Sequence, residues 1–260
     1  MSSSQKPEPL HVYTTLELLE ACADFFFLLE RGYNRKVALD LVTARWNLSK
    51  LERLALYRGV FDSATSKKRV AKILRSSPDR LTVDGFNVLS TISSALIGDT
   101  LLLATDGFVR DLAATIRKVE VSRGLISSLV LMLSFLSHLR VREVIIVFDA
   151  QVSRSGELVK IVNSLLPSYI QVGEAFTSKQ ADSSLLSLGK RYTLATSDSV
   201  LIDKTLSVFD LGGELCWQIR GEKIINLKQL VELKVRKLAK SITERDGTLN
   251  AQDGYENEGA

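Results

Sequence analysis

Soft metal ligands and nucleophiles are scarce in this chain, which has two cysteines and two histidines in 260 residues. Cys22 and Cys216 sit among apolar neighbours, and His11 and His138 complete the set. A structural zinc site or a Cys/His dyad has almost no material. Long apolar runs are missing too: the most apolar stretch, Leu125–Leu139, is broken by serines and falls short of the roughly 20 residues a membrane span needs. Residues Met1–Pro9 are polar, so no secretory signal is expected. No glycine-rich dinucleotide fingerprint or P-loop lysine follows the first strand. His138 lies on an apolar helix and reads as a helix-end residue rather than a catalytic base. The expectation is a reduced, soluble, cytoplasmic protein that binds no membrane.

What is present is an ordinary globular composition, 45% hydrophobic and 25% charged, in a chain long enough for one large domain or two small ones. Net charge is only +4, but it is unevenly spread. From Arg31 to Arg80 there are thirteen basic residues against four acids, whereas the last twenty residues carry five acids and one base.

The pattern divides the chain into three parts. Residues 10–76 read as a basic helical domain. Helical spacing runs from Thr14 to about Leu29, with Gly32 as its C-terminal glycine. Asn34 caps a second helix to about Trp46, and Ser49 a third to about Val60, without a reciprocal acid if its partner is Arg53. The second and third resemble a helix-turn-helix in outline, although a small bundle with solvated bases has the same spacing. A basic helix fits Lys68–Leu74. Residues 79–240 alternate strands (81–83, 143–148, 170–172, 192–195, 206–211) with helices (122–139, 156–166, 179–188, 227–238), with an apolar segment at 101–103, which predicts an α/β fold with a parallel sheet covered on both faces. Residues 243–260 read as a disordered acidic tail.

Aspartates recur where strands end: Asp84 after Leu81-Thr82-Val83, Asp149 after Val144–Phe148, Asp198 after Leu194-Ala195-Thr196-Ser197. In an open parallel sheet these ends share one edge, where ligands bind. Asp182, near the start of a helix, can reach the same edge. Each could simply cap a helix. Carboxylates held together raise one another's pKa and tolerate proximity when a cation compensates them. Hard oxygen donors then favour magnesium or manganese.

Val83-Asp84-Gly85-Phe86-Asn87, Val147-Phe148-Asp149-Ala150, Ala181-Asp182-Ser183 and Ala195-Thr196-Ser197-Asp198 resemble, in order, the motif set of PIN-like nucleases, closest to the NYN branch. The likeness covers about Leu81 to Leu211. The whole chain also resembles a prokaryotic family of unassigned activity that joins a helical domain of unknown function to a PIN-like domain. The resemblance implies a PIN-like sheet sandwiched by helices after a small all-α basic domain. It implies a metal-dependent endonuclease hydrolysing phosphodiesters, RNA more than DNA. Asp84, Asp149, Asp182 and Asp198 would be the catalytic, metal-holding acids for Mg²⁺ or Mn²⁺, with Asn87 and Ser197 near the substrate.

Gly85 lets backbone approach a phosphate. Ser153, Arg154 and Ser155 could grip a phosphate at a helix N-terminus. Arg45, Lys50, Arg53, Lys67, Lys68 and Arg69 would attract the nucleic-acid backbone. Asp106 and Asp111 could supply an acid missing before the third motif, where Thr177-Ser178-Lys179-Gln180 stands, or belong to a polar loop. Two other readings stay open: a catalytically weak PIN-like adaptor for RNA or the ribosome, and a helix-turn-helix DNA regulator. A homodimer is compatible with any of these.

Overall fold

The computed structural model describes residues 9–116 and 122–235. The expected acidic tail lies outside the described residues. Four helices come first: α1 (Leu16–Glu30), α2 (Arg35–Arg45), α3 (Lys50–Gly59) and α4 (Ser63–Val70). Each starts on a short polar side chain, Thr15, Asn34, Ser49 and Asp62, that accepts a hydrogen bond from an amide of the first turn, the usual way of satisfying those donors. Ser49 does have a reciprocal acid: the third helical residue is Glu52, and the two form a full capping box, so the spacing was one residue shorter than that to Arg53. The basic helix begins at its Asp62 cap rather than at Lys68. It stops early because residues 72–74 leave as an extended segment, the Val208 amide donating to the Lys72 carbonyl and the Leu74 amide to the Val208 carbonyl, both at 2.8 Å.

The α/β part then runs β1 (Arg80–Asp84), α5 (Gly85–Ile97), β2 (Leu101–Leu103), β3 (Val109–Asp111), α6 (Ala113–Ile116), α7 (Arg123–His138), β4 (Glu143–Asp149), α8 (Ser155–Leu165), β5 (Val172–Ser178), α9 (Ala181–Leu188), β6 (Thr193–Ala195), α10 (Ser199–Lys204), β7 (Val208–Phe209), α11 (Leu211–Arg220) and β8 (Ile224–Asn226). A last helical segment covers 227–235. The main sheet is parallel throughout, in the order β5-β4-β1-β6-β7. Helices flank it on both faces, as β4 makes plain. Its Val144, Ile146 and Phe148 join the core built with α5, α7 and α8, while Ile145 and Val147 face Leu185 of α9. That alternation is the two-residue period of a strand buried on both sides.

Two elements depart from expectation. The helix α5 was not anticipated because Ser90, Thr91, Ser93 and Ser94 interrupt its stripe of Val88, Leu89, Ile92 and Ala95. Thr91 and Ser94 are nevertheless buried. The strand β5 lies further along than 170–172; as an edge strand it exposes Val172, Gly173 and Glu174 and so lacks an apolar run.

A second sheet, β3-β2-β8, was also unforeseen. It lies between the two parts of the chain. Leu101, Val109 and Ile224 pack with Ala95 of α5 and Cys216 of α11. Leu102, Leu112 and Leu227 instead join Leu18, Phe25, Leu39 and Leu56 of the N-terminal helices. The helical region therefore has no core of its own, because strands and the C-terminal segment complete it.

A buried ion-pair network reinforces that junction. Asp106, in the turn between β2 and β3, is 0% exposed. It accepts from Arg110 Nη1 (2.7 Å) and Nη2 (2.9 Å) and from Arg69 Nη1 of α4 (2.9 Å). Arg69 also grips Asp203 of α10 through Nε and Nη2, each at 2.7 Å. Removing one member of such a network strands buried charge. Asp106→Ala is therefore expected to lower unfolding free energy by about 3–5 kcal/mol, measured by urea denaturation; a loss within experimental error would show the network to be incidental.

Candidate active site

In the order β5-β4-β1-β6-β7, the direction of chain progression reverses between β1 and β6. Such a switch point opens a crevice at the carboxyl ends of the strands. The register pairs Val83 with Ala195, which sets Asp84 beside Thr196. The Thr196 hydroxyl donates to Asp84 Oδ2 at 2.9 Å. Asn87, in the first turn of α5, crosses the same crevice. Its Oδ1 accepts from the Ser197 amide at 2.8 Å and from the Ser197 hydroxyl at 3.1 Å. Asn87 thus fixes the loop after β6. Asp198 ends that loop as the cap of α10, accepting from the amides of Val200 and Leu201.

The carboxyl of Asp84 is pushed from its ordinary 3.8 up to about 7. Burial is the largest cause; the Thr196 hydrogen bond opposes it, and the charges of Asp198 and Asp182 push further upward. Two of the expected acids therefore act on Asp84. Asp149 ends the adjacent strand, β4, and its Oδ1 accepts from the Gln151 amide at 2.8 Å. Among the described residues no three of His, Cys, Asp and Glu come together as a metal-holding group. At the switch point Asp84 therefore lies within the field of Asp198 and Asp182, and Asp149 ends the strand on the other side of β1. The cysteines are buried and unpaired, and burial lifts both thiols, Cys22 to about 12.

Several other candidates take different roles. A Cβ on Gly85 would stand 2.4 Å from the Phe148 ring; this glycine admits a neighbouring side chain rather than a phosphate. Arg154 pairs with Glu157, Ser155 is buried and Ser153 is exposed. Arg69 is 5% exposed and committed to carboxylates, so it is no surface phosphate contact. Asp106 is a buried ion-pair partner, and buried Asp111 accepts from the Thr91 hydroxyl at 3.1 Å. Arg45 pairs with Asp24 and Arg53 with Asp40, whereas Lys50, Lys67 and Lys68 are exposed.

A cavity of about 870 Å³ adjoins the crevice, lined on one side by Asn87, Ser197 and Asp198 and on the other by Arg35, Tyr57 and Arg58 of the helical region. The arginines Arg35, Arg58 and Arg110 were missed because single basic residues in helices and strands carry no spacing signal. The neighbouring aromatics Tyr33, Tyr57 and Phe61 were the available hint.

Comparison with known proteins places this arrangement. A family model described as a domain of unknown function, DUF5616, matches residues 75–214, more than half of the chain. The chain belongs to that family. A second model, described as a protein of unknown function, DUF434, matches residues 17–72, the stretch from α1 to the segment after α4. An uncharacterized protein of Methanocaldococcus jannaschii is 31% identical over 190 residues, which cover 72% of this chain and 89% of that protein. No solved structure matches. Among the described residues no helix is long and apolar enough to cross a membrane.

The raised Asp84 has a thermodynamic consequence. Between about pH 4 and 7 the native state holds a proton that the unfolded chain has released, so this group's contribution to stability falls as pH rises through that window. Asp210, also raised to about 7 mainly by burial, acts in the same direction and remains in an Asp84 variant. In EDTA, Asp84→Asn should be more stable than the unaltered protein at pH 7.5 by about 1–3 kcal/mol, with the gain shrinking towards pH 4. Urea denaturation at both pH values checks it; an equal effect at both contradicts a raised pKa.

Proposed function

We propose that this chain is a metal-dependent endonuclease with a PIN-like α/β domain, hydrolysing phosphodiesters and acting on RNA. The observation that supports it best lies at the switch point: Asp84, half-buried at the end of β1, whose carboxyl is pushed up by desolvation and by the charges of Asp198 and Asp182. Carboxylates set close in a crevice favour a hard cation. Magnesium is commonly held by one or two carboxylates and retains several waters, so Asp84 and Asp198, with Asp182 nearby, fit it without a three-acid cage. When bound, the ion would polarise the scissile phosphate and lower the pKa of a bound water.

The chain's own residues prepare the site. Asp84 must release the proton it holds up to about pH 7. Thr196 directs its hydroxyl to one oxygen of that carboxylate, and Asn87 Oδ1 holds the Ser197 amide in place. Thr196→Val would leave Asp84 less well oriented.

The lack of a three-acid group among the described residues favours one second reading, a PIN-like adaptor that binds RNA or the ribosome with little catalysis. The regulator reading has less support. Helix α3 buries Ala55, Leu56 and Gly59, and its Tyr57 and Arg58 line the cavity, so it is not a free recognition helix.

The test is incubation of the pure protein with single-stranded and structured RNA in Mg²⁺ or Mn²⁺. Cleavage is expected to fall to background in Asp84→Asn/Asp198→Asn and by about 10–100-fold in Thr196→Val, as for a group supporting a metal ligand. Cleavage surviving in the double variant rejects this site. Absence of both cleavage and calorimetric Mn²⁺ binding at millimolar ion supports the adaptor.

A further inference from the structure

The charges around the cavity between the helical region and the carboxyl edge do not cancel evenly. Arg69 and Arg110 are matched by Asp106 and Asp203. The acids Asp62 and Asp198 cap α4 and α10, bonded to first-turn amides, where the helix dipole offsets their charge. Arg35 and Arg58 remain. Both are half-buried, and neither has a carboxylate within ion-pair distance among the described residues.

Arg35 donates to the Tyr57 carbonyl and lies 4.4 Å from the Phe61 ring centre and 5.3 Å from those of Phe25 and Tyr57. Arg58 donates to the Thr115 hydroxyl at 2.8 Å. A guanidinium has five N–H donors, and among the described residues each of these two has a single hydrogen bond. Burial accordingly depresses both, Arg35 to about 10. The charges facing Arg35 are Arg69, Arg110 and Asp106; those facing Arg58 are Asp111, Asp198 and Arg110.

We propose that this cavity is a phosphate subsite for a single-stranded RNA segment, with Arg35 and Arg58 gripping a backbone phosphate and the half-exposed rings of Tyr33 and Tyr57 taking the flanking bases. Guanidiniums from α2 and α3 that line one cavity suit a phosphate, whose oxygens accept bidentate bonds. Tyr33 is 50% and Tyr57 51% exposed, enough ring surface for base stacking. A volume of about 870 Å³ lies within the ~300–1,000 Å³ of small-ligand sites. That is room for unstacked nucleotides. Because Asn87, Ser197 and Asp198 line the same cavity, a strand held there passes beside Asp84. The subsite rests on the nuclease reading for its purpose but not for its binding.

The test separates the two. Binding of a 3′-labelled RNA hexanucleotide is followed by fluorescence anisotropy in EDTA, where metal-dependent cleavage is stopped. Arg58→Gln should weaken binding about tenfold or more, and Arg35→Gln/Arg58→Gln further. For single strands each lost phosphate contact reduces the slope of log K against log salt by about 0.7. Tyr57→Ala should weaken it several-fold, and serves if Arg35, packed on Phe61, proves necessary for folding. Arg142→Gln, altering a pair with Asp79 before β4, should change nothing.

Folded Arg58→Gln and Tyr57→Ala variants that bind within twofold of the unaltered protein overturn the subsite, whatever happens to cleavage. So does a hairpin duplex bound equally well, or displacement of the hexanucleotide by millimolar AMP with the same arginine dependence, which would mark a free-nucleotide site. Intact, arginine-dependent binding with no cleavage in Mn²⁺ supports the subsite and rejects the nuclease reading alone.

Discussion

A single buried carboxylate, Asp106, holds the two halves of the chain in register. An aspartate at 0% exposure is tolerable only when cations and hydrogen bonds satisfy it fully. The two that do so come from different places, Arg69 from α4 and Arg110 from β3. Each then has donors left over. Arg69 uses its own on Asp203 of α10, and Arg110 Nε donates to the Ser197 carbonyl at 2.9 Å. The loop bearing Ser197 and Asp198 is therefore fixed from behind by the same network that docks the helical region. The network thus fixes the crevice loop and α4 together, while α2 and α3 are held by the apolar core shared with Leu102, Leu112 and Leu227.

That coupling gives the small β3-β2-β8 sheet its purpose. With Leu101 turned to one core and Leu102 to the other, it is a shared layer that neither part can do without. A nuclease domain with a tethered basic module would need no such layer. The helical region is instead one wall of the cavity, with the strand ends forming the opposite wall.

The parts of this architecture that were legible in sequence are those written in local patterns. Capped helices, the alternating strand β4 and the aspartates after β1 and β6 all follow from neighbours within a few residues. Helix α5 was obscured because its buried Thr91 and Ser94 look like loop residues until their partners are known; the Thr91 hydroxyl bonds the Asn87 carbonyl and Asp111. The pairing of Asp84 with Thr196 depends on β6 lying next to β1, which is a matter of topology. The least legible feature was Arg69. Its carboxylate partners lie 37 and 134 residues away, and in sequence it is indistinguishable from exposed Lys67 and Lys68 beside it.

The same distinction decides which basic residues matter for a polyanion. Net charge in the N-terminal third would act on a polyanion at long range and be screened by salt, but several of its arginines are already paired: Arg45 with Asp24, Arg53 with Asp40, Arg69 with two acids. Arg35 and Arg58 differ in being partly desolvated and unmatched. An unmatched, partly buried cation carries a standing desolvation cost that an anionic ligand relieves. Asp84 is the counterpart beside the cavity, a half-buried acid pushed upward by the charges of Asp198 and Asp182. Under the proposed reading, a phosphodiester accompanied by a divalent ion would answer both demands together.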